Sequence, residues 1–297
     1  MKDEGYDPDY SAALASAASL LGPMIPPSIT LIVYAGLTDA SVQKLFLATL
    51  TPAVACTVAF LVYTLWYGKK KNLPKQPKKT LKEAGKIMLD AIWALLLPVI
   101  VLGLIFSGIT TVTEAAAISC LYSAIVSLFI YKTITFKDLL KILGDSAVSI
   151  AAIMILVGMS KATAYVVISS QMPQLFMGFI TSFTSSRFVV LLILNLIFLL
   201  LGCLMEGNCI IVMMVPLLLT LVKSFGIDLL QFGVMAAINI YIGCITPPVG
   251  VSLLLGSKLG KTSIGGTFKA ILPFLGISMV ILILVTYWPS FTLWLIH

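Results

Sequence analysis

Three short stretches of this chain hold residue types able to bind an ion or an acid. Two are Gly22-Pro23-Met24-Ile25-Pro26-Pro27-Ser28 and Gly243-Cys244-Ile245-Thr246-Pro247-Pro248-Val249-Gly250, and the third is Glu206-Gly207-Asn208. Each interrupts an apolar run, and paired prolines, lacking N–H donors, break a helix where they fall. A broken helix leaves its last carbonyls without internal donors, a partly negative end that suits a bare Na+. The next half-helix offers free N–H groups to a carboxylate. Thr246-Pro247-Pro248 and Glu206-Gly207-Asn208 form the principal site on this basis, with Glu206, Gly243 and Thr246 as the Na+ ligands. Gly243 and Gly250 permit the close backbone approach that such a site needs. Gly22, Pro26, Pro27 and Ser28 form the matching site, with the Ser28 hydroxyl as a ligand. Asn208 and Asn239 supply amide oxygens or donors nearby, or else polar contacts between packed helices.

Simpler roles stand beside these. The prolines can merely kink a packed span. A charged Glu206 at mid-membrane costs about 2.5–3.5 kcal/mol and so calls for a Na+, a proton or a cavity; in a water-exposed loop between two short spans it needs none of them. Lys161, isolated in VGMSKATAY, either neutralises a substrate carboxylate or snorkels to the headgroups. Glu114 reads as a cap or ion-pair partner at a span entry, and Arg187 as an anchor at the base of a hairpin. Trp66, Trp288 and Trp294 sit at span ends, where an aromatic belt accounts for them. The five cysteines lie inside apolar segments without a C-x-x-C pair, and the only histidine is His297. They are packing residues on this pattern, and no cofactor is expected beyond Na+ as coupling ion.

The elements that position these residues follow from composition. Of 297 residues 60% are hydrophobic and 10% charged, with a mean hydropathy of +1.09. Soluble chains run about 45–50% apolar and about 25% charged, so a water-soluble enzyme is excluded. At about 20 residues per crossing the chain has room for roughly seven to nine spans or re-entrant segments. An all-α polytopic membrane protein results. Its formal charge of +7 owes much to seven lysines between Lys69 and Lys82, which mark a cytoplasmic loop over residues 68–85 and not a nucleic-acid surface. Residues 1–10 do not have the pattern of a signal peptide. Arms of about 18 residues flank Glu206-Gly207-Asn208, marginal for full crossings at about 1.5 Å per residue, so a re-entrant hairpin over 187–225 with a polar tip is expected. A broken helix covers 232–256, and a short amphipathic stretch from Phe136 to Leu143 is expected along the interface before a span from Val148 to Ser169.

The two proline breaks are related. A displacement of 221 positions places Gly22 on Gly243, Pro26 on Pro247, Pro27 on Pro248 and Pro52 on Pro273. That is an internal repeat. Lysines follow the first copy but precede the end of the second, so the copies are inverted, a pattern of secondary transporters. Residues 1–67 are then the remainder of the first repeat, and 86–297 hold a connecting helix and the second. The hairpin's counterpart would fall mostly before Met1, so the chain reads as the remainder of a longer transporter.

These stretches resemble the large membrane subunit of tripartite ATP-independent periplasmic (TRAP) transporters, of the C4-dicarboxylate and sialic-acid type, lacking its N-terminal portion. The matching residues are GPMIPPSI at Gly22 to Ile29, TEAAA at Thr113 to Ala117, GIDLLQFGV at Gly226 to Val234 and ITPPVGVSL at Ile245 to Leu253. The chain departs from the family at Glu206, where Asp is usual, and at Val112, where Pro is frequent. The resemblance implies an elevator-type secondary transporter of the bacterial inner membrane. In it, a mobile domain carries Na+ and an organic carboxylate past a scaffold. Its partners would be a small four-helix membrane subunit, a periplasmic substrate-binding protein and the lipid bilayer. The expected function is Na+-coupled import of a C4-dicarboxylate or sialic-acid-like acid. A stand-alone carboxylate transporter of the same fold, or an inactive fragment or half of a split subunit, remain alternatives. An intramembrane enzyme would need a nucleophile and base or metal ligands that the sequence lacks.

Overall fold

The computed structural model describes residues 1, 5–73 and 80–296, except for several side chains of two long helices. Lys75, Lys78, Lys79 and His297 lie outside the described residues, as do the side chains of Lys82 and Lys161. Among the described residues the regular structure is helical throughout. Six helices are long and apolar enough to cross a membrane, or seven spans if one bent pair counts as a single crossing. The protein is an all-α, multi-pass membrane protein.

The chain packs as two compact units, Met1–Pro74 with Val157–His297, and Lys75–Leu156. In the larger unit α1 (Pro8–Met24) starts at an Asp7 cap, with Pro8 in its first turn where a missing N–H costs nothing. It ends at Pro26-Pro27, and the chain resumes at 41° as α2 (Ile29–Leu37). Helix α3 (Val42–Lys70) carries Pro52. Later in the chain α10 (Leu229–Gly243), the second break, α11 (Val251–Gly260) and α12 (Ile264–Tyr287), which carries Pro273, repeat that order.

Every residue of α10 from Gln231 to Gly243 is buried. A helix apolar all round belongs at the centre of a packed block, and α10 is covered by α8 (Arg187–Leu204), α12 and α3. Helix α9 (Gly207–Ser224) packs on α2 and on α7 (Met172–Phe183). Helix α1 lies along α11 and α12 through small residues: Ser16 donates to Ser252 O at 3.1 Å, and a Cβ on Gly256 would collide with Ser16 Oγ. Phe60 and Tyr63 of α3 meet Phe274 of α12 edge-on at 5.1 and 4.9 Å. The short α13 (Pro289–Leu293) follows α12, and Trp294 beyond it donates to Thr51 Oγ1 at 2.7 Å.

The smaller unit is built on α4 (Leu81–Phe106) and α5 (Val112–Ile125), which runs into a π-helical segment, Val126–Ile130. Both helices begin with a reciprocal cap, Thr80 with Glu83 and Thr111 with Glu114. Glu114 therefore has the structural role expected of it, and the TEAAA stretch starts a helix. Tyr131 donates to Asp90 O at 2.7 Å and accepts from Ala94 N at 3.3 Å, while Tyr122 donates to Trp93 O at 2.8 Å. Apolar side chains such as Leu89, Val99 and Leu121 are exposed, as suits helices that face lipid or another protein. Phe136 to Leu143 does not form a separate segment: a single helix, α6, runs over Phe136–Ser169. Thr135 and Asp138 cap its start, and with no proline before Ser169 the helix runs on through Gly144-Asp145-Ser146.

Candidate functional site

The two breaks and the tip between α8 and α9 meet inside the larger unit, around a cavity of about 450 Å³. From the first break come Pro27, Ser28, Ile29 and Thr30, and from the tip Glu206, Gly207 and Asn208. The second broken helix supplies Ile240, Tyr241, Cys244, Val251 and Ser252. The N-termini of α2, α9 and α11 thus all open onto one space. No lysine, arginine or histidine is among the described lining residues, and Glu206 is the one acidic side chain among them.

Each N-terminus is finished differently. At α9 Glu206 is the cap: its carboxylate accepts from Asn208 N at 3.0 Å, Cys209 N at 3.2 Å and Asn208 Nδ2 at 2.9 Å. The charge sits on the positive end of its own helix, a favourable place for it. At α11 the chain closes on itself, with Ser252 N donating to Cys244 O at 2.9 Å and Gly250 in the left-handed region at φ +51°. A Cβ on Gly250 would lie 2.8 Å from Thr246 O, so glycine is required there. At α2 Ser28 has the extended backbone of a cap residue, yet its hydroxyl makes no capping bond. It pairs instead with the Tyr241 hydroxyl at 3.0 Å, and both residues are buried, at 1% and 7% exposure. Thr30 donates to Asn208 Oδ1 at 3.4 Å, joining the first break to the tip.

The structure thus gathers Pro27, Ser28, Glu206, Gly207 and Asn208 of the residues singled out from sequence, and leaves the others outside the cavity lining. Gly22 lies within α1 with open space where a Cβ would go, and Pro26 is buried in the break. Thr246 donates its hydroxyl to Ile242 O at 2.7 Å, and its N–H to Gly243 O at 2.9 Å, so the turn satisfies part of its own end. Pro247 and Pro248, like Pro26 and Pro27, are joined by a cis bond; Pro248 is exposed. The close approach at Gly243 is to protein: its Cα faces the backbone of Gly202 and Cys203 at the crossing of α8 and α10. Tyr241, Thr30 and Ser252 are lining residues that the motifs did not single out. Tyr241 lies in a mostly apolar helix, two residues after Asn239 and two before Gly243, and no motif set it apart.

Asn239 belongs to a separate polar seam. Fully buried, it donates to Asn195 Oδ1 at 2.6 Å and to Met235 O at 2.8 Å, and Asn195 donates to Thr286 Oγ1 at 3.1 Å. Gln231 donates to the carbonyls of Val285 and Thr286 at 3.0 and 2.8 Å. Among the described residues Asn239 Oδ1 and Gln231 Oε1 have no donor. The seam ties α8, α10 and α12 together. Asn195→Leu is expected to cost about 2 kcal/mol, because a buried amide donor loses its partner. Asn195→Leu with Asn239→Leu should cost clearly less than the sum of the two single changes. Thermal unfolding of the purified variants in detergent measures both, and strict additivity would mean the two amides are not coupled.

Comparison with known proteins agrees with this architecture. The family model described as "Tripartite ATP-independent periplasmic transporter, DctM component" matches residues 1–291. The sialic acid TRAP transporter large permease protein SiaM of Vibrio cholerae is 34% identical over 99% of this chain and 69% of its own length. The C4-dicarboxylate TRAP transporter large permease protein DctM of Pseudomonas aeruginosa is 36% identical over the same shares. The isethionate TRAP transporter permease protein DctMQ of Oleidesulfovibrio alaskensis is 32% identical over 98% of this chain and 46% of its own length. All three are named as transporter permeases and none as an enzyme. With a family model matching residues 1–291 and relatives 34% and 36% identical over 99% of its length, the chain belongs to the DctM family of TRAP transporter membrane components.

Proposed function

We propose that this chain is the large membrane subunit of a Na+-coupled importer of an organic carboxylate, fed by a periplasmic binding protein and completed by a small membrane subunit in a bacterial inner membrane. The observation that carries this is the make-up of the cavity. The α2 N-terminus, which has no side-chain cap, favours an anion, yet no basic side chain is present among the described lining residues, and Glu206 opposes one. Two negative charges about 4 Å apart repel one another by about 4 kcal/mol at an effective dielectric of about 20, the value for pairs near a protein surface. A cation at Glu206 removes that repulsion, so acid and cation bind well only together. That is the requirement for symport. The relatives named for sialic acid, C4-dicarboxylates and isethionate supply the acids to try first. If more Na+ enters than substrate charge, each net charge adds about 2.3 kcal/mol per 100 mV to uptake.

Proteoliposomes holding the chain, its small subunit and its binding protein test this with radiolabelled succinate, isethionate and N-acetylneuraminate. Uptake of one of them is expected to require both Na+ and the binding protein, and to rise with an inside-negative potential. Uptake that persists without the binding protein would favour a stand-alone carrier. Uptake without Na+ would remove the coupling assigned to Glu206.

A further inference from the structure

We propose that Tyr241 is a positioning residue for the carboxylate, acting by holding the Ser28 hydroxyl away from the N-terminus of α2. The inference rests on the transport function proposed above, and it assigns a task to a residue that contributes no charge and breaks no helix.

The geometry is specific. Serine at the start of a helix ordinarily turns its hydroxyl oxygen onto the N–H of the second or third helical residue. Ser28 has the backbone for this, with φ −120° and ψ 120°, and is followed by the nine-residue α2. Its hydroxyl is nevertheless engaged by Tyr241, 213 positions away in sequence, at 3.0 Å. The first turn of α2 is left without a side-chain acceptor, and its first two residues, Ile29 and Thr30, line the cavity. The contrast with α9 is direct: there the cap residue Glu206 covers its own N–H groups. One of the two helix ends is closed by its own side chain, and the other is kept open by a phenol on a different helix.

Two hydroxyls joined by one hydrogen bond hold two protons, of which one is shared between them and one is left over. The Tyr241 hydroxyl also meets the side chain of Thr30, so that proton is not free, while the N–H groups of α2 stay open to an acceptor from outside. Removing only the phenol oxygen frees Ser28 to rotate and cap α2, so that an incoming carboxylate must displace it. A serine cap contributes roughly 1 kcal/mol, which corresponds to about a fivefold loss in apparent affinity. Tyr241→Phe keeps the ring and so keeps the packing of the buried α10.

The test uses the complete transporter in proteoliposomes and the labelled acid that the unaltered protein carries. Tyr241→Phe is expected to raise KM about fivefold with Vmax within twofold of the unaltered protein. Adding Ser28→Ala to Tyr241→Phe should bring KM back to the value of Ser28→Ala alone, since no hydroxyl then remains to close the helix end. A double variant as weak as Tyr241→Phe, or weaker, would mean that the phenol itself contacts the acid, and the proposal falls. An unchanged KM in Tyr241→Phe overturns it equally, with the transport function intact. If the unaltered protein carries none of the acids, the transport function fails, and this role with it. Size-exclusion profiles of the variants in detergent separate a folding defect from a shift in KM.

Discussion

Gly243→Ala is expected to lower stability by about 3 kcal/mol, while Gly22→Ala, its counterpart 221 positions earlier, leaves stability unchanged or raises it by about 0.5 kcal/mol. The two glycines occupy equivalent places in the repeat, so the sequence offers no ground for separating them. The packing does. A Cβ on Gly243 would fall within 2.8 Å of Cys203 N and closer still to Gly202, where both neighbours are backbone and neither can rotate away. A Cβ on Gly22 meets nothing within 4 Å, and alanine is the better helix former. Gly202→Ala should fall between them, since its Cβ would lie 3.0 Å from Ile240 Cα and 3.2 Å from Gly243 Cα. Thermal unfolding of the three variants in detergent gives the order. Equal effects at Gly22 and Gly243 would show that α8 and α10 do not cross at their glycines.

Glu206→Gln is expected to abolish the Na+ dependence of uptake, or raise the Na+ concentration for half-maximal uptake about 100-fold. At the same time it should cost less than about 1 kcal/mol of stability. The asymmetry comes from what glutamine retains. Its amide oxygen can still accept from Asn208 N or Cys209 N, the bonds Glu206 makes at 3.0 and 3.2 Å, so most of the α9 cap survives. The negative charge that would hold a cation in a cavity without another described acidic side chain is gone. Glu206→Asp keeps the charge on a shorter stem and should retain Na+ dependence with reduced affinity. Sodium titrations of uptake beside melting curves separate the two roles. If glutamine lowers stability and leaves the sodium curve in place, Glu206 is a helix cap and nothing more.

The breaks were legible because their cause is local. Pro26-Pro27 and Pro247-Pro248 remove donors wherever they stand, and Glu206-Gly207-Asn208 is a polar interruption of an apolar run. Local chemistry also accounts for Glu114, whose cap with Thr111 spans three residues. What needed the fold were the partners of these residues. Tyr241 reads as one more large side chain in an apolar helix, and its significance lies in Ser28, 213 positions away. Asn239 admitted two roles in the sequence, and Asn195, 44 positions away, is its hydrogen-bond partner. Gly243 was expected to give close approach for an ion, and the structure shows close approach to another helix, a distinction that glycine alone cannot express. Phe136 to Leu143 has an amphipathic look that suits an interface, but Gly144-Asp145-Ser146 after it holds no proline and the helix continues through it.

The two halves of the first broken helix rest on different parts of the second copy: α1 is seated along α11 and α12, and α2 on α9. The copies are therefore interlaced like the fingers of two hands. A clamshell that opens by swinging one repeat away from the other would have to strip Ser16 from Ser252 and unseat the small-residue face around Gly256. If the cavity opens to one side of the membrane and then the other, as the proposed function requires, both breaks must move as a single block, or the Glu206–Asn208 tip must move across them.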